Sequence, residues 1–306
     1  MVTNKRCLEK AIDFVLKSRD NEGMWRNFLS RTHGESTDWV TSFSGLNLLT
    51  ARIPRSELEN TAQSVLKRQR ENGGFSYNQK IVPDSDSTAF AIRFLKNFGY
   101  NGVLSKSRQF LSSHQNNDGG FGTYREKNIR QYYRIPEDMP VEGWCASTSD
   151  VTASVLLVMP SNKKALDYLT NTQEENGSWK SYWWNSDVYA TAHSIEALSG
   201  EDHNERVLRA QEWLANEDNI PEAAFYIALS INALSKNPKY KQIVKEITNK
   251  LLELQSEDGS WNTVPILRFP HPSNTQPWED KKRWRKDSND QNRIFTTSTC
   301  IKALNN

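Results

Sequence analysis

Cysteine is scarce in this 306-residue chain: Cys7, Cys145 and Cys300 stand far apart, odd in number and outside any CxxC spacing. That arrangement makes neither a disulfide framework nor a cysteine-paired metal pattern, and a reducing compartment is its natural setting. Long apolar runs are missing too. No stretch approaches 18 apolar residues, and the opening MVTNKRCLEKAIDFVLKSRD carries charges through its apolar positions. The expectation is a cytoplasmic protein with no membrane span and no signal peptide. Nor does one sign of charge dominate: Lys+Arg number 39 against 37 Asp+Glu, a formal net charge of +2, without the basic footprint of a nucleic-acid binder. Aliphatic residues are fewer than in a typical globular domain, whereas Trp 10, Tyr 10 and Phe 12 are plentiful.

What is present is a repeat. Gln69 precedes Phe75, Gln115 precedes Phe121, Gln173 precedes Trp179 and Gln255 precedes Trp261, each by six residues. A first copy has Arg19 in the Gln place with Trp25 six residues on, and the stretch from Trp213 to Phe225 has lost the signature. Before each signature runs an amphipathic segment, such as AIDFVLKSR, ALDYLTNTQ or EITNKLLELQ, with apolar residues at three- and four-residue intervals, which predicts helices. Asn/Asp-Gly pairs then supply the positive φ that ends a helix. A second apolar segment follows each turn, among them TDWVTSFSGLNLL, DSDSTAFAIRFL and RIFTTSTCIKAL. These are apolar around the whole circumference, as expected of helices buried on two sides. Six hairpins of about 45–50 residues predict an all-α single (α/α)6 toroid over residues 1–306, with inner and outer helix rings. An open solenoid is the competing architecture.

The Gln-to-Trp repeat resembles the QW motif of squalene–hopene and oxidosqualene cyclases, and the segment DSDSTA resembles the DxDDTA motif of class II terpene cyclases. The resemblance covers nearly the whole chain. It implies that Gln69, Gln115, Gln173 and Gln255 are structural, that the substrate is a linear isoprenoid, and that Asp86 matches the central, proton-donating Asp. Family members usually have two such barrels, and this chain has length for one. A homodimer or a partner subunit is therefore left open.

The repeat and the resemblance converge on Asp86. Aspartates at helix starts satisfy free N–H groups and need no catalytic explanation. Aligning the apolar helices by their Thr/Ser-Ala pattern places Asp38, Asp84, Asp150 (allowing a shift of about one place) and Asp187 together as caps. Two places on stand Val40, Thr152, Tyr189 and Phe295, and Asp86 alone is acidic. A carboxyl protonates an alkene only if burial or a neighbouring carboxylate keeps it neutral, and Asp84 is that neighbour. Asp84 and Asp86 are accordingly the candidate catalytic pair, with Ser87 where the family motif has a third Asp.

A buried carbocation is stabilised by aromatic faces, which do not react with it. Trp39, Trp144, Trp183, Trp184, Tyr189, Tyr226 and Phe295 lie at or just before the inner-helix starts and are the candidate substrate-binding rings. His193, one turn below Tyr189, reads as a core histidine.

Protein prenyltransferase β subunits share the toroid and bind Zn²⁺ through Asp-x-Cys and a His after Asp-x-Tyr. Thr152 and Ala190 stand here instead, so no metal site is expected. No DDxxD run is present to ionise a diphosphate, and Mg²⁺ would enter only with a diphosphate substrate. Residues 268–291 read as an inserted rim loop whose cluster Trp278, Lys281, Lys282, Arg283, Trp284, Arg285 and Lys286 suits a lid, a diphosphate grip or peripheral membrane contact through 278–286. The reading is a protonation-initiated terpene cyclase. Its alternatives are a non-catalytic toroid that binds an isoprenoid or another hydrophobic ligand, one subunit of a two-component cyclase, and a zinc-independent prenyltransferase-like enzyme.

Overall fold

The computed structural model describes residues 4–30, 34–200, 203–280 and 289–306. The amphipathic segments form the outer helices α1 (Asn4–Lys17), α3 (Glu59–Leu66), α5 (Asn101–Ser112), α9 (Lys163–Asn171), α11 (Asn204–Ala215) and α13 (Lys241–Glu253). Each buries one stripe; in α1 it is Cys7, Ala11 and Val15, four residues apart. The uniformly apolar segments form the inner helices α2 (Asp38–Thr50), α4 (Ser85–Leu95), α8 (Ser149–Leu156), α10 (Val188–Ala197), α12 (Ala224–Leu234) and α14 (Ile294–Leu304). In α12 only Asn232 of the eleven residues escapes full burial.

The inner helices pack in chain order, α2 on α4, then α8, α10, α12 and α14, and α14 returns to α2. That return closes the ring and rules out the open solenoid. The outer ring closes as well: α1 packs on α14, Asn4 Nδ2 donates to Leu304 O at 3.2 Å, and Gln255 Nε2 donates to Cys7 O at 2.8 Å.

Each repeated residue has an identifiable physical task. The Gln amide bridges its own turn to the following outer helix: Gln173 Nε2 donates to Gly177 O and Arg206 O, both at 2.9 Å, and Gln255 Nε2 donates to Gly259 O at 2.9 Å. The indoles of Trp25, Trp179 and Trp261 donate to the carbonyls of Val15, Leu169 and Leu251 at 2.6–2.8 Å. Gly259 has φ +89°, and a Cβ there would lie 2.5 Å from Lys10 O, so the turn needs glycine for conformation and for space. The turn aromatic also donates its main-chain N–H to a threonine of the next inner helix: Trp25 to Thr41, Phe75 to Thr88, Phe121 to Thr152, Trp179 to Thr191 and Trp261 to Thr297, at 2.9–3.4 Å. Those threonines set the axial register of the inner ring.

Several features depart from expectation. Two further helices, α6 (Glu126–Tyr133) and α7 (Glu142–Cys145), lie in the connection between α5 and α8, and a short antiparallel hairpin, β1 (Asn27–Ser30) with β2 (Gly34–Ser36), precedes α2. Residues 268–280 are not a free rim loop. Arg268 N donates to Trp183 O at 2.7 Å and Trp144 Nε1 to Pro270 O at 3.0 Å, so the segment is built into the barrel wall. Trp278 is partly buried, and the basic cluster from Lys281 to Lys286 lies outside the described residues. Among the described residues no helix is long and apolar enough to cross a membrane. At the C-terminal ends of the inner helices, Glu196 pairs with Arg93 at 2.6 Å and with Lys302 at 3.1 Å.

Gln255→Leu removes the bond to Cys7 O in α1 and the bond to Gly259 O within the turn, which should lower the unfolding free energy by about 1–2 kcal/mol. Urea unfolding measures that loss. Hydrogen exchange should quicken in α1 more than in α9; equal protection in both would mean that Gln255 does not hold the closure.

Candidate active site

The threonine register shows which inner-helix residues share a level. Two residues before Thr41, Thr88, Thr152, Thr191 and Thr297 stand Trp39, Asp86, Asp150, Tyr189 and Phe295. Helix α12 lacks the threonine, but Phe225 precedes Leu234 by the nine residues that separate Phe295 from Leu304. Six residues thus ring the axis at one height, four aromatic and two acidic. Asp86 is therefore not the sole carboxyl in its position; Asp150 repeats it one helix on. The Asp-x-Thr pattern shared by DST and DVT was the visible signal, and aligning Asp150 with Asp84 obscured it.

The cap assignments divide accordingly. Asp84 is a true N-cap: Oδ1 accepts from Ser87 N and Oδ2 from Ser87 Oγ, both at 2.7 Å. Asp38 lies inside the first turn of α2, buried and bonded to Thr37 Oγ1 at 2.8 Å and Gln79 Nε2 at 2.6 Å. Asp187 precedes α10 but accepts from Ser181 N and Lys180 Nζ, both at 3.0 Å, and makes no side-chain cap bond.

Above this level, at the N-terminal ends of the inner helices, opens a cavity of ≈ 120 Å³. Asp84, Asp86, Trp39, Trp144, Trp183 and Trp184 all line it. Trp39 is fixed by its own indole, which donates to Asp86 Oδ2 at 2.9 Å, and its ring lies 4.9 Å from Phe295 and 6.0 Å from Trp184. Trp183 Nε1 donates to Thr123 Oγ1 at 2.7 Å. Tyr189 and Phe295 lie one layer behind the wall: Tyr189 stacks under Trp184 at 3.7 Å, and Phe295 stacks on Phe43 at 3.6 Å. Tyr226 stands outside the lining, edge-on to Phe225, which itself meets Trp184 at 5.4 Å. His193 stacks on Tyr189 at 4.0 Å, its Nδ1 bonds Tyr189 O, and burial lowers its pKa to about 4, which keeps it neutral.

Other lining residues were not foreseen. Tyr77, Tyr124 and Tyr133 come from the connections before α4 and α8, and Leu267, Arg268 and Phe269 from the wall segment after Trp261. None belongs to the repeat, so periodicity offers no signal for them. Phe28 is held at φ 51° beside Trp39 and Phe295.

The electrostatics follow from burial. Asp86 is pushed up to about 8, first by desolvation and then by the Asp84 charge; Ser154, on α8, and Trp39 bond it and pull the other way, while Asp150 adds to the rise. Asp84 is raised to about 7 by desolvation against its bonds from Ser87. At neutral pH the cavity therefore holds an un-ionised carboxyl against aromatic faces.

Known proteins carry the same architecture. The "Squalene-hopene cyclase C-terminal domain" family matches residues 65–224, and the "Prenyltransferase alpha-alpha toroid domain" family matches residues 202–305. The chain is 28% identical over 191 residues to squalene–hopene cyclase of Bradyrhizobium diazoefficiens, which covers 55% of this chain and 29% of that enzyme. It is 28% identical over 141 residues to sporulenol synthase of Bacillus subtilis, 41% of this chain and 22% of that enzyme. It thus spans less than a third of the length of these curated relatives. The type II terpene cyclase MstE from Scytonema, in complex with merosterolic acid A as product, superimposes with a TM-score of 0.89 at 25% identity, covering 98% of this chain and 96% of that one. With the family match extending over more than half its length, the chain belongs to the squalene–hopene cyclase C-terminal domain family.

Proposed function

We propose that the protein is a type II terpene cyclase that protonates and cyclises a linear isoprenoid, with Asp86 as the general acid. The observation that carries this reading is the place of the Asp86 carboxyl on the wall of a cavity otherwise lined mainly by aromatic and aliphatic groups, where desolvation and the Asp84 charge favour its protonated form. Trp39 Nε1 donates to Oδ2, and we assign the acid proton to the other oxygen, Oδ1. In the step proposed, the Oδ1–H bond breaks, a C–H bond forms at the terminal alkene, and the adjacent carbon becomes a tertiary cation. Further alkenes of the same chain attack in turn, and loss of a proton ends the sequence, so the product is an isomer of the substrate. Trp39 and Trp184 offer π faces to the cation, which they stabilise without trapping it. Asp84, bonded twice to Ser87, is held as a cap and acts on Asp86 through its charge.

Arg268 gives the cavity a direction. Its guanidinium is buried on the wall and donates to Ser181 O at 2.7 Å. A fixed positive charge opposes a carbocation beside it but suits an anionic head group, so the substrate is proposed to enter with its alkene tail toward Asp86 and its head toward Arg268. A related enzyme, MstE, binds geranylgeranyl dihydroxybenzoate as substrate.

Purified protein incubated with farnesol, geranylgeraniol, squalene and geranylgeranyl dihydroxybenzoate should yield a cyclic isomer of at least one. Tight binding of all with turnover of none would instead identify a hydrophobic-ligand carrier. Asp86→Asn should lower turnover about 10²–10⁴-fold. Asp38→Asn, a buried first-turn aspartate outside the cavity lining, should leave turnover close to wild type. Arg268→Gln should raise KM for the benzoate-headed substrate and not for geranylgeraniol; an equal rise for both would remove the head-group assignment.

The same acid makes a stability prediction. A carboxyl whose pKa is raised on folding binds its proton more tightly in the folded state, so its contribution is full below about pH 4 and is lost as pH rises through about 8. Relative to Asp86→Asn, the wild type should lose unfolding free energy between pH 4 and pH 8. Parallel stability curves for the two proteins would show that Asp86 titrates normally.

A further inference from the structure

Asp150 is the one other carboxyl at the level of Asp86, and it comes from the next helix of the inner ring. Its environment differs in kind. Asp150 Oδ2 accepts two successive main-chain amides, Tyr182 N at 2.9 Å and Trp183 N at 3.0 Å, and Oδ1 accepts Val151 N at 3.1 Å. Asp86 has one indole and one hydroxyl as partners. A carboxyl that accepts from three main-chain amides, with a hydroxyl beside them, is suited to the ionised, acceptor-only form. The donors it has captured belong to the connection that presents Trp183 and Trp184 to the cavity. That connection lies between α9 and α10, outside both helices, so the packing of helix on helix does not position it.

We infer that Asp150 is a positioning residue of the cyclisation: one carboxylate that anchors the Trp183–Trp184 wall through its main chain and sets the field in which Asp86 works. The two roles follow from the two ends of the group. Through Oδ2 it fixes the backbone that carries the tryptophans, so the aromatic faces stand in place before a cation forms, and no reorganisation is needed when it does. Through its charge it favours positive charge in the cavity and opposes early ionisation of Asp86. The groups facing Asp86 are Asp84 at the start of its own helix, Trp39 from α2, Asp150 and Ser154 from α8, and Tyr189 from α10. Of these Asp84 and Asp150 are the carboxyls whose charge raises Asp86, and Asp150 is the one tied to the wall. Burial raises its own pKa while the Trp183 amide, the Thr148 hydroxyl and the Tyr182 and Val151 amides pull it back.

This inference rests on Asp86 as the acid, and two substitutions separate its parts. Asp150→Asn keeps one oxygen where both wall amides converge but removes the charge; Asp150→Ala removes anchor and charge together. In Asp150→Asn the ¹³C carboxyl titration of Asp86, read in the unliganded protein without turnover, should move down by about one pH unit. With geranylgeranyl dihydroxybenzoate or geranylgeraniol, whichever is cyclised, the alkaline limb of kcat should move by the same amount with KM little changed. Asp150→Ala should in addition red-shift the tryptophan emission and broaden the product range toward water-quenched alcohols. An Asp86 titration in Asp150→Asn superimposable on wild type removes the field role, whatever the activity. Unchanged emission and products in Asp150→Ala remove the anchoring role. Loss of the cyclase reading alone would show differently, as an unreactive wild type in which the Asp86 titration still shifts.

Discussion

The arrangement depends on one recurring bond, the main-chain N–H of each turn aromatic donated to a threonine of the next inner helix. A buried amide without a partner costs about 1–3 kcal/mol, so each turn is strongly held to its threonine. That requirement fixes how far five of the six inner helices slide along the barrel axis. Once the slide is fixed, the residue two places earlier must face the same level of the barrel. Trp39, Asp86, Asp150, Tyr189 and Phe295 meet there because their threonines were placed for another purpose. The glutamines act around the circumference in the same way, stitching each turn to the next outer helix until Gln255 reaches Cys7.

The cavity draws its chemistry from what that ring excludes. Six helices keep water from the axis, and in a medium of low dielectric an isolated carboxylate is expensive, so Asp86 keeps its proton. The same exclusion strengthens the attraction between a positive centre and the faces of Trp39 and Trp184. At the opposite end of the inner helices the charges are balanced differently: Glu196 lies between Arg93 and Lys302, and that pairing holds it ionised, well below the usual carboxylate range. Two partly buried carboxyls in one barrel thus end in opposite protonation states. The difference lies in their neighbours, two cations for one and a carboxylate with an indole for the other.

Much of the fold was legible because it repeats. The six-residue step from Gln to aromatic, the glycine inside it and the all-round apolar segment beyond it recur often enough that the two rings follow from counting. The candidate acid was legible for the opposite reason, as an exception: Asp86 is a carboxyl where Val40 or Tyr189 was aligned. That alignment was off by one residue at Asp38 and by two at Asp150, which hid Asp150; Asp187 was in register with Asp84, yet neither it nor Asp38 caps its helix. Their side chains make no cap bond, because their oxygens are already taken by Thr37 and Gln79 in one case and by Ser181 and Lys180 in the other.

The sequence by itself determined the number of hairpins, which helices are inner, the structural glutamines and the carboxyl to examine, since each of these is a local pattern repeated at fixed spacing. Only the tertiary structure decided which rings face the cavity and which stand behind it. Trp184 and Tyr189 are five residues apart and stacked on each other, yet one lines the cavity and the other supports it. It alone also brought Leu267, Arg268 and Phe269 to the wall, where Arg268 N donates to the Trp183 carbonyl about 85 positions away and the Trp144 indole donates to Pro270 O about 126 positions away. No periodicity encodes such pairings, because they join segments that do not repeat. Ring closure sets them, by bringing distant turns to the same end of the barrel.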